Sequence, residues 1–126
     1  MNVADDVRLS KNFMASEFWC KCGCDDFEIS SNLIEGLQEL RDILGKPVFV
    51  NSGFRCKKHN QEIGGSPKSQ HLFGAAADII SPGRIPLEIA EIAKSIEVFC
   101  NGGIGLYTKK GFVHLDVRGY PSRWKD

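Results

Sequence analysis

Two histidines and two aspartates stand in two short stretches of this chain. Residues 69–78 read Ser-Gln-His-Leu-Phe-Gly-Ala-Ala-Ala-Asp, and residues 112–116 read Phe-Val-His-Leu-Asp. Imidazole and carboxylate together form an ordinary zinc ligand set, and three such ligands leave a coordination position for water. A site with an open position performs chemistry, whereas a closed one only holds structure.

The second stretch has the simplest geometry. Strand side chains alternate between faces, so Val113, Leu115 and Val117 point one way and Phe112, His114 and Asp116 the other. On its own this fits a polar solvent face equally well. Asp78 is harder to explain away, because it sits in the apolar run Ala75-Ala76-Ala77-Asp78-Ile79-Ile80. A buried carboxylate without a partner costs several kcal/mol, so Asp78 needs an ion pair, a hydrogen bond or a metal. His71, seven residues earlier, and His114 are available. His59, beside Lys57 and Lys58, reads as a surface or supporting group.

The elements that must position these residues follow from periodicity. Leu33, Ile34, Leu37, Leu40, Ile43 and Leu44 predict a helix over about 32–44, with Asn32 and Glu35 as a capping box and Gly45 and Pro47 as the stop. Val48–Val50 reads as a short buried strand, residues 56–63 as a short helix, 66–74 as a loop and 75–80 as a second strand. Pro86 opens another helix striped by Ile89, Ile92, Ala93 and Ile96. Residues 102–107 and 112–117 predict a hairpin around Thr108–Gly111. The tail 119–126 is polar except for Tyr120 and Trp124, which either cap the core or wall a cleft. Phe13, Phe18 and Trp19 are expected to tie the first 29 residues to the core. The fold class is α+β in a single domain over 1–126: a small antiparallel sheet, helices on one side and a metal cleft on the other.

Bulk properties narrow the function. The 126 residues carry 16 basic and 16 acidic side chains, 42% hydrophobic and 25% charged residues. Balanced charge of this kind predicts no nucleic-acid footprint and no anionic membrane surface, and a monomer is expected. The start, Met-Asn-Val-Ala-Asp-Asp-Val-Arg, shows no secretory leader, and no run is apolar enough to span a bilayer. The chain is therefore expected to stay in the cytoplasm as synthesised and to reach any external substrate by release. Five cysteines, Cys20, Cys22, Cys24, Cys56 and Cys100, form an odd set that favours reduced thiols. Buried thiols, one or two disulfides and a structural zinc all fit Cys-Lys-Cys-Gly-Cys, and buried thiols are the simplest account.

Ser-Gly-Phe-Arg (52–55), His-Asn (59–60), Gly-Gly (64–65), the 69–78 stretch and Gly-Phe-Val-His-Leu-Asp-Val-Arg (111–118) together resemble the M15 family of zinc peptidases. The likeness runs from about Phe18 to Trp124. It is strongest to the branch of zinc D-Ala-D-Ala carboxypeptidases and peptidoglycan-cleaving phage enzymes. It implies a hedgehog/D-Ala-D-Ala peptidase-like fold and one zinc ion per chain on His71, Asp78 and His114. The implied substrate is the peptide of bacterial peptidoglycan. Arg55 matches an arginine that stabilises the substrate carbonyl or transition state, and Ser69 matches a substrate-contacting serine. One departure stands out. Several branches place an acidic general base three residues before the last zinc histidine, where this chain has Gly111. Asp116 is the expected replacement, as the catalytic base or as a group orienting a ligand. An L-alanyl-D-glutamate endolysin and an inactive zinc-binding module of a virion or cell-wall-associated protein are the alternative readings.

Overall fold

The computed structural model describes residues 6–126; residues 1–5, on which the reading of a missing leader rests, lie outside the described residues. A two-stranded ribbon, β1 (Arg8–Ser10) and β2 (Phe13–Met14), precedes the long helix α1 (Ser31–Leu44). The rest of the chain builds a five-stranded sheet. Its strands are β3 (Phe49–Ser52), β4 (Ala76–Ile80), β5 (Gly103–Tyr107), β6 (Phe112–Asp116) and β7 (Ser122–Lys125), in the order β3-β4-β6-β5-β7. Helices α2 (Lys57–Glu62), α3 (Pro86–Ala93) and α4 (Glu97–Cys100) fill the connections.

One face of the sheet carries the core. Ala77 and Ile79 of β4, Ile104 of β5, and Val113 and Leu115 of β6 pack against Leu33, Leu37 and Leu40 of α1 and Ile89, Ala90 and Ala93 of α3. The α+β class and the placing of the helices on one face thus agree with the sequence. Phe13 and Phe18 are fully buried in the same core and fasten the N-terminal segment to it. No helix among the described residues is long and apolar enough to cross a membrane.

Four expectations need correction. The sheet is not wholly antiparallel, because β7 pairs parallel to β5 along its edge. The strand after Pro47 begins at Phe49 and lies at the other edge, so Phe49 is half exposed rather than buried. The cap of α1 is Ser30, not Asn32, since the helix begins at Ser31, and Gly45 closes it in the left-handed conformation as expected. The 66–74 segment is not all loop: residues 70–73 form one turn of 3-10 helix.

That turn fixes a site residue, and Gly74 ends it. Gly74 has φ +65°, and its carbonyl accepts a hydrogen bond from the Ser30 amide at 2.9 Å. A Cβ there would overlap the Glu28 carbonyl oxygen. Gly74→Ala adds the left-handed penalty of about 1–2 kcal/mol to an overpacking cost of about 1–3 kcal/mol. Denaturant unfolding is expected to show a loss of at least about 2 kcal/mol.

Candidate metal centre

The sheet face opposite the core carries the polar residues. Antiparallel pairing sets Asp78 of β4 directly beside His114 of β6. His71 comes from the 3-10 turn, anchored where the Ser69 hydroxyl accepts its amide at 3.2 Å and where its carbonyl accepts the Arg55 amide at 3.1 Å. The His71, Asp78 and His114 side chains meet with donor atoms within 4.8 Å of one another, and all three residues are buried.

Hydrogen bonds decide which ring nitrogen is free. Nδ1 of His71 lies 2.7 Å from the Gly53 carbonyl oxygen. A carbonyl only accepts, so Nδ1 carries the proton and Nε2 faces Asp78 Oδ1 at 3.3 Å. In His114 the roles are exchanged. Nε2 donates to Asp116 Oδ2 at 2.7 Å, and Nδ1 faces Asp78 Oδ1 at 3.0 Å. Each imidazole is thus fixed on its outer side and turns its other nitrogen inward to the same carboxylate. This pattern of ring plus outer acceptor is how metal-ligating histidines are normally held, and the donor set fits a divalent metal.

The electrostatics run the same way. Burial opposes ionisation of Asp78, but the His114 and His71 rings that face it outweigh burial and hold its pKa well below the usual carboxylate range. Burial likewise opposes the charged form of His114, but its two carboxylate partners raise its pKa above the ordinary value.

Asp116 sits behind His114. It has no exposure, and it receives the Gly103 amide at 2.8 Å, the Arg118 Nε at 2.9 Å and Arg118 Nη2 at 2.7 Å besides the His114 ring. Burial raises its pKa, yet the His114 and Arg118 hydrogen bonds overcome this and keep it ionised well below the usual range. Both oxygens are spent on protein donors, on the far edge of the imidazole from Asp78. Asp116 is not among the residues that line the cleft.

Arg55 lies on the near side. Its Nη2 is 3.5 Å from Asp78 Oδ2, its Nε donates to Ser52 Oγ at 3.2 Å, and its Nη1 donates to Asn60 Oδ1 at 3.3 Å. Burial pulls its pKa down while Asp78 opposes the fall. Asn60 is itself buried and held by the Ser66 carbonyl at 2.8 Å. A cleft of about 980 Å³ opens over these groups, lined also by Ser69, Tyr107, Phe112, Arg118 and Trp124. Asp78 is the one carboxylate among its described lining residues. Gly111 has φ +81° and serves the hairpin turn. His59 stays on α2, outside this cleft.

Sequence reasoning missed two members, Arg118 and Asn60, and left Trp124 between capping the core and walling the cleft. Arg118 follows Asp116 by two residues, so the period-two argument that found His114 and Asp116 reaches it as well. Trp124 is brought in by β7, with its ring 5.0 Å from that of His114 and its Nε1 donating to the Tyr107 hydroxyl at 2.8 Å. Gly105, opposite it in register, leaves no room for a Cβ beneath the indole. Asn60 stood out only as part of the His-Asn pair in the family resemblance, with no role attached to it.

The Peptidase M15 family model matches residues 8–116. The peptidoglycan L,D-endopeptidase MepK of Escherichia coli is 34% identical over 96 residues, which cover 71% of this chain and 51% of that protein. The protein of the same name from Shigella flexneri gives the same figures. The zinc D-Ala-D-Ala carboxypeptidase of Streptomyces albus G is 46% identical over 44 residues, 34% of this chain and 17% of its own length. The chain spans about half the length of the first of these relatives.

Proposed function

We propose that this chain, which belongs to the peptidase M15 family, is a zinc-dependent peptidase that hydrolyses peptide bonds in the stem peptides of bacterial peptidoglycan, with residues 1–126 acting as one domain. The observation that carries the reading is the convergence of His71, Asp78 and His114 under an open cleft, with Arg55 beside them. His71 Nε2, an Asp78 oxygen and His114 Nδ1 would hold the metal. When bound, zinc supplies Lewis acidity toward a carbonyl oxygen and acidifies a water molecule toward neutral pH.

The remaining work belongs to the chain. Arg55 is held by Ser52, Asn60 and Asp78, so its guanidinium is prepared to receive developing negative charge on the scissile carbonyl without reorganising. Ser69 accepts from the His71 amide and keeps its own hydroxyl proton to donate to substrate backbone. Tyr107 and Phe112, stacked at 4.5 Å, and Trp124 wall one side of the cleft and limit its water. Lys68 and Lys110 give the rim positive charge, which suits a peptide rich in free carboxylates.

Asp116 serves as a positioning residue. It fixes the His114 ring and is in turn clamped by Arg118 and the Gly103 amide. Asp116→Asn is expected to weaken zinc binding about 10–100-fold, the usual cost of removing such an outer partner. Turnover should recover at saturating zinc. Loss of kcat that saturating zinc does not restore would give Asp116 a direct part in proton transfer.

The bond cut is tested by digestion of defined muropeptides with mass spectrometry of the products. Loss of one terminal alanine from a pentapeptide marks a carboxypeptidase; scission of cross-linked or internal bonds marks an endopeptidase, including the L-alanyl-D-glutamate type. The lack of a cleft carboxylate other than Asp78 among the described residues favours a second reading, a zinc-binding module without activity. Intact muropeptides after incubation with zinc-loaded chain would establish that second reading and overturn the first.

A further inference from the structure

Away from the cleft, four of the five cysteines converge. The sulfurs of Cys20, Cys22, Cys24 and Cys56 all lie within 4.8 Å of one another. Those of Cys20 and Cys22 are 3.4 Å apart, and those of Cys22 and Cys56 are 3.6 Å apart. Four thiolates at about 2.3 Å from a tetrahedral zinc stand roughly 3.8 Å from each other. We propose that these four cysteines bind a structural zinc ion, at a site separate from His71, Asp78 and His114.

The backbone is arranged for this. Residues 20–23 form a turn in which the Gly23 amide donates to the Cys20 carbonyl at 3.1 Å, and Gly23 takes φ +80°, a conformation that glycine adopts without penalty. The turn wraps three sulfurs around one point. The fourth arrives because residues 54–56 run beside residues 18–20. The Phe54 amide donates to the Phe18 carbonyl at 2.9 Å, and the Cys56 amide donates to the Cys20 sulfur at 3.3 Å. The His59 amide donates to the Cys56 sulfur, also at 3.3 Å. These two amides fix the Cys20 and Cys56 sulfurs in place at the cluster.

The competing accounts explain less. Burial as apolar thiols suits Cys20 and Cys56, but Cys22 is exposed and Cys24 is partly so. Disulfide pairing singles out couples, whereas the Cys22 sulfur is nearly equidistant from two neighbours. Soft thiolates at a single tetrahedral point select zinc over the hard divalent cations. On binding, each thiol passes its proton to solvent and nothing is oxidised. Lys58 lines the shallow cavity beside the cluster and offsets part of the charge of a four-thiolate site. The site ties the N-terminal segment to the residue that follows Arg55.

Metal analysis of the full chain, purified under reducing conditions, tests this. The wild type is expected to carry a second equivalent of zinc. A His71→Ala/His114→Ala double variant should keep one equivalent, and its cobalt-substituted form should show the intense thiolate-to-cobalt charge-transfer band that a nitrogen and oxygen ligand set lacks. Cys22→Ser/Cys24→Ser should lose that equivalent. A folded histidine variant that holds no zinc, or holds iron in its place, overturns the proposal. Should the cysteine variant fail to fold, alkylation of the wild type decides. Only the exposed Cys100 should react until a strong chelator is added, after which the other four become reactive. Prompt labelling of all five thiols without chelator, or a mass showing intramolecular disulfides, also overturns it.

Discussion

Asp78→Ala is expected to abolish zinc binding at the cleft and to reduce peptidoglycan turnover on the order of 10³-fold or more, since Lewis-acid stabilisation is worth several kcal/mol and each 1.36 kcal/mol is tenfold. The reason is its central position. Asp78 is the shared partner of both inward imidazole nitrogens and of Arg55. Its removal leaves three cationic or potentially cationic groups facing one another in a buried site without a counter-charge, an arrangement that costs about 3–5 kcal/mol. The variant should therefore lose stability as well as metal. Circular dichroism with metal analysis separates the two, because a folded but zinc-free variant without activity is the predicted result. A folded Asp78→Ala chain that retains cleft zinc and full turnover would remove Asp78 from the ligand set.

Arg55→Ala is expected to lower kcat about 10²–10³-fold with little change in KM, the loss seen when one donor to a developing oxyanion is removed. Arg55→Lys should rescue little of it. Its planar fork reaches Ser52, Asn60 and Asp78 at once, and a single ammonium cannot make all three contacts. Steady-state kinetics on a defined stem peptide check this. A raised KM with unchanged kcat would mean that Arg55 binds substrate and transition state equally, and the proposed role would fail.

The legible part of the molecule was local. The alternation along residues 112–116 put His114 and Asp116 on one face, and the structure places both there. The apolar run around Asp78 signalled a buried carboxylate in need of partners, and it has three. The rest depended on neighbours distant in sequence. Whether Asp116 faces the cleft or the back of His114 is set by Gly103 and Arg118 from either side. β7 has too few apolar residues to announce a strand; it pairs because Gly105 leaves space beneath Trp124 and because the Ser122 amide reaches the Gly102 carbonyl at 3.1 Å. The cysteine run 20–24 lacks its fourth member until the chain folds Cys56 against it, so its spacing alone pointed to buried thiols rather than to a shared metal.

The central claim is that His71, Asp78 and His114 form a zinc centre that cleaves peptidoglycan peptides. Its most direct test is mass spectrometry of purified peptidoglycan digested by the chain as isolated, after chelation, and after zinc is restored. The account predicts new peptide-bond cleavage products with the first and third, none with the second, and none at any stage with His71→Ala. Undiminished cleavage after the cleft zinc has been removed, or intact peptides in the presence of the fully zinc-loaded chain, would contradict it.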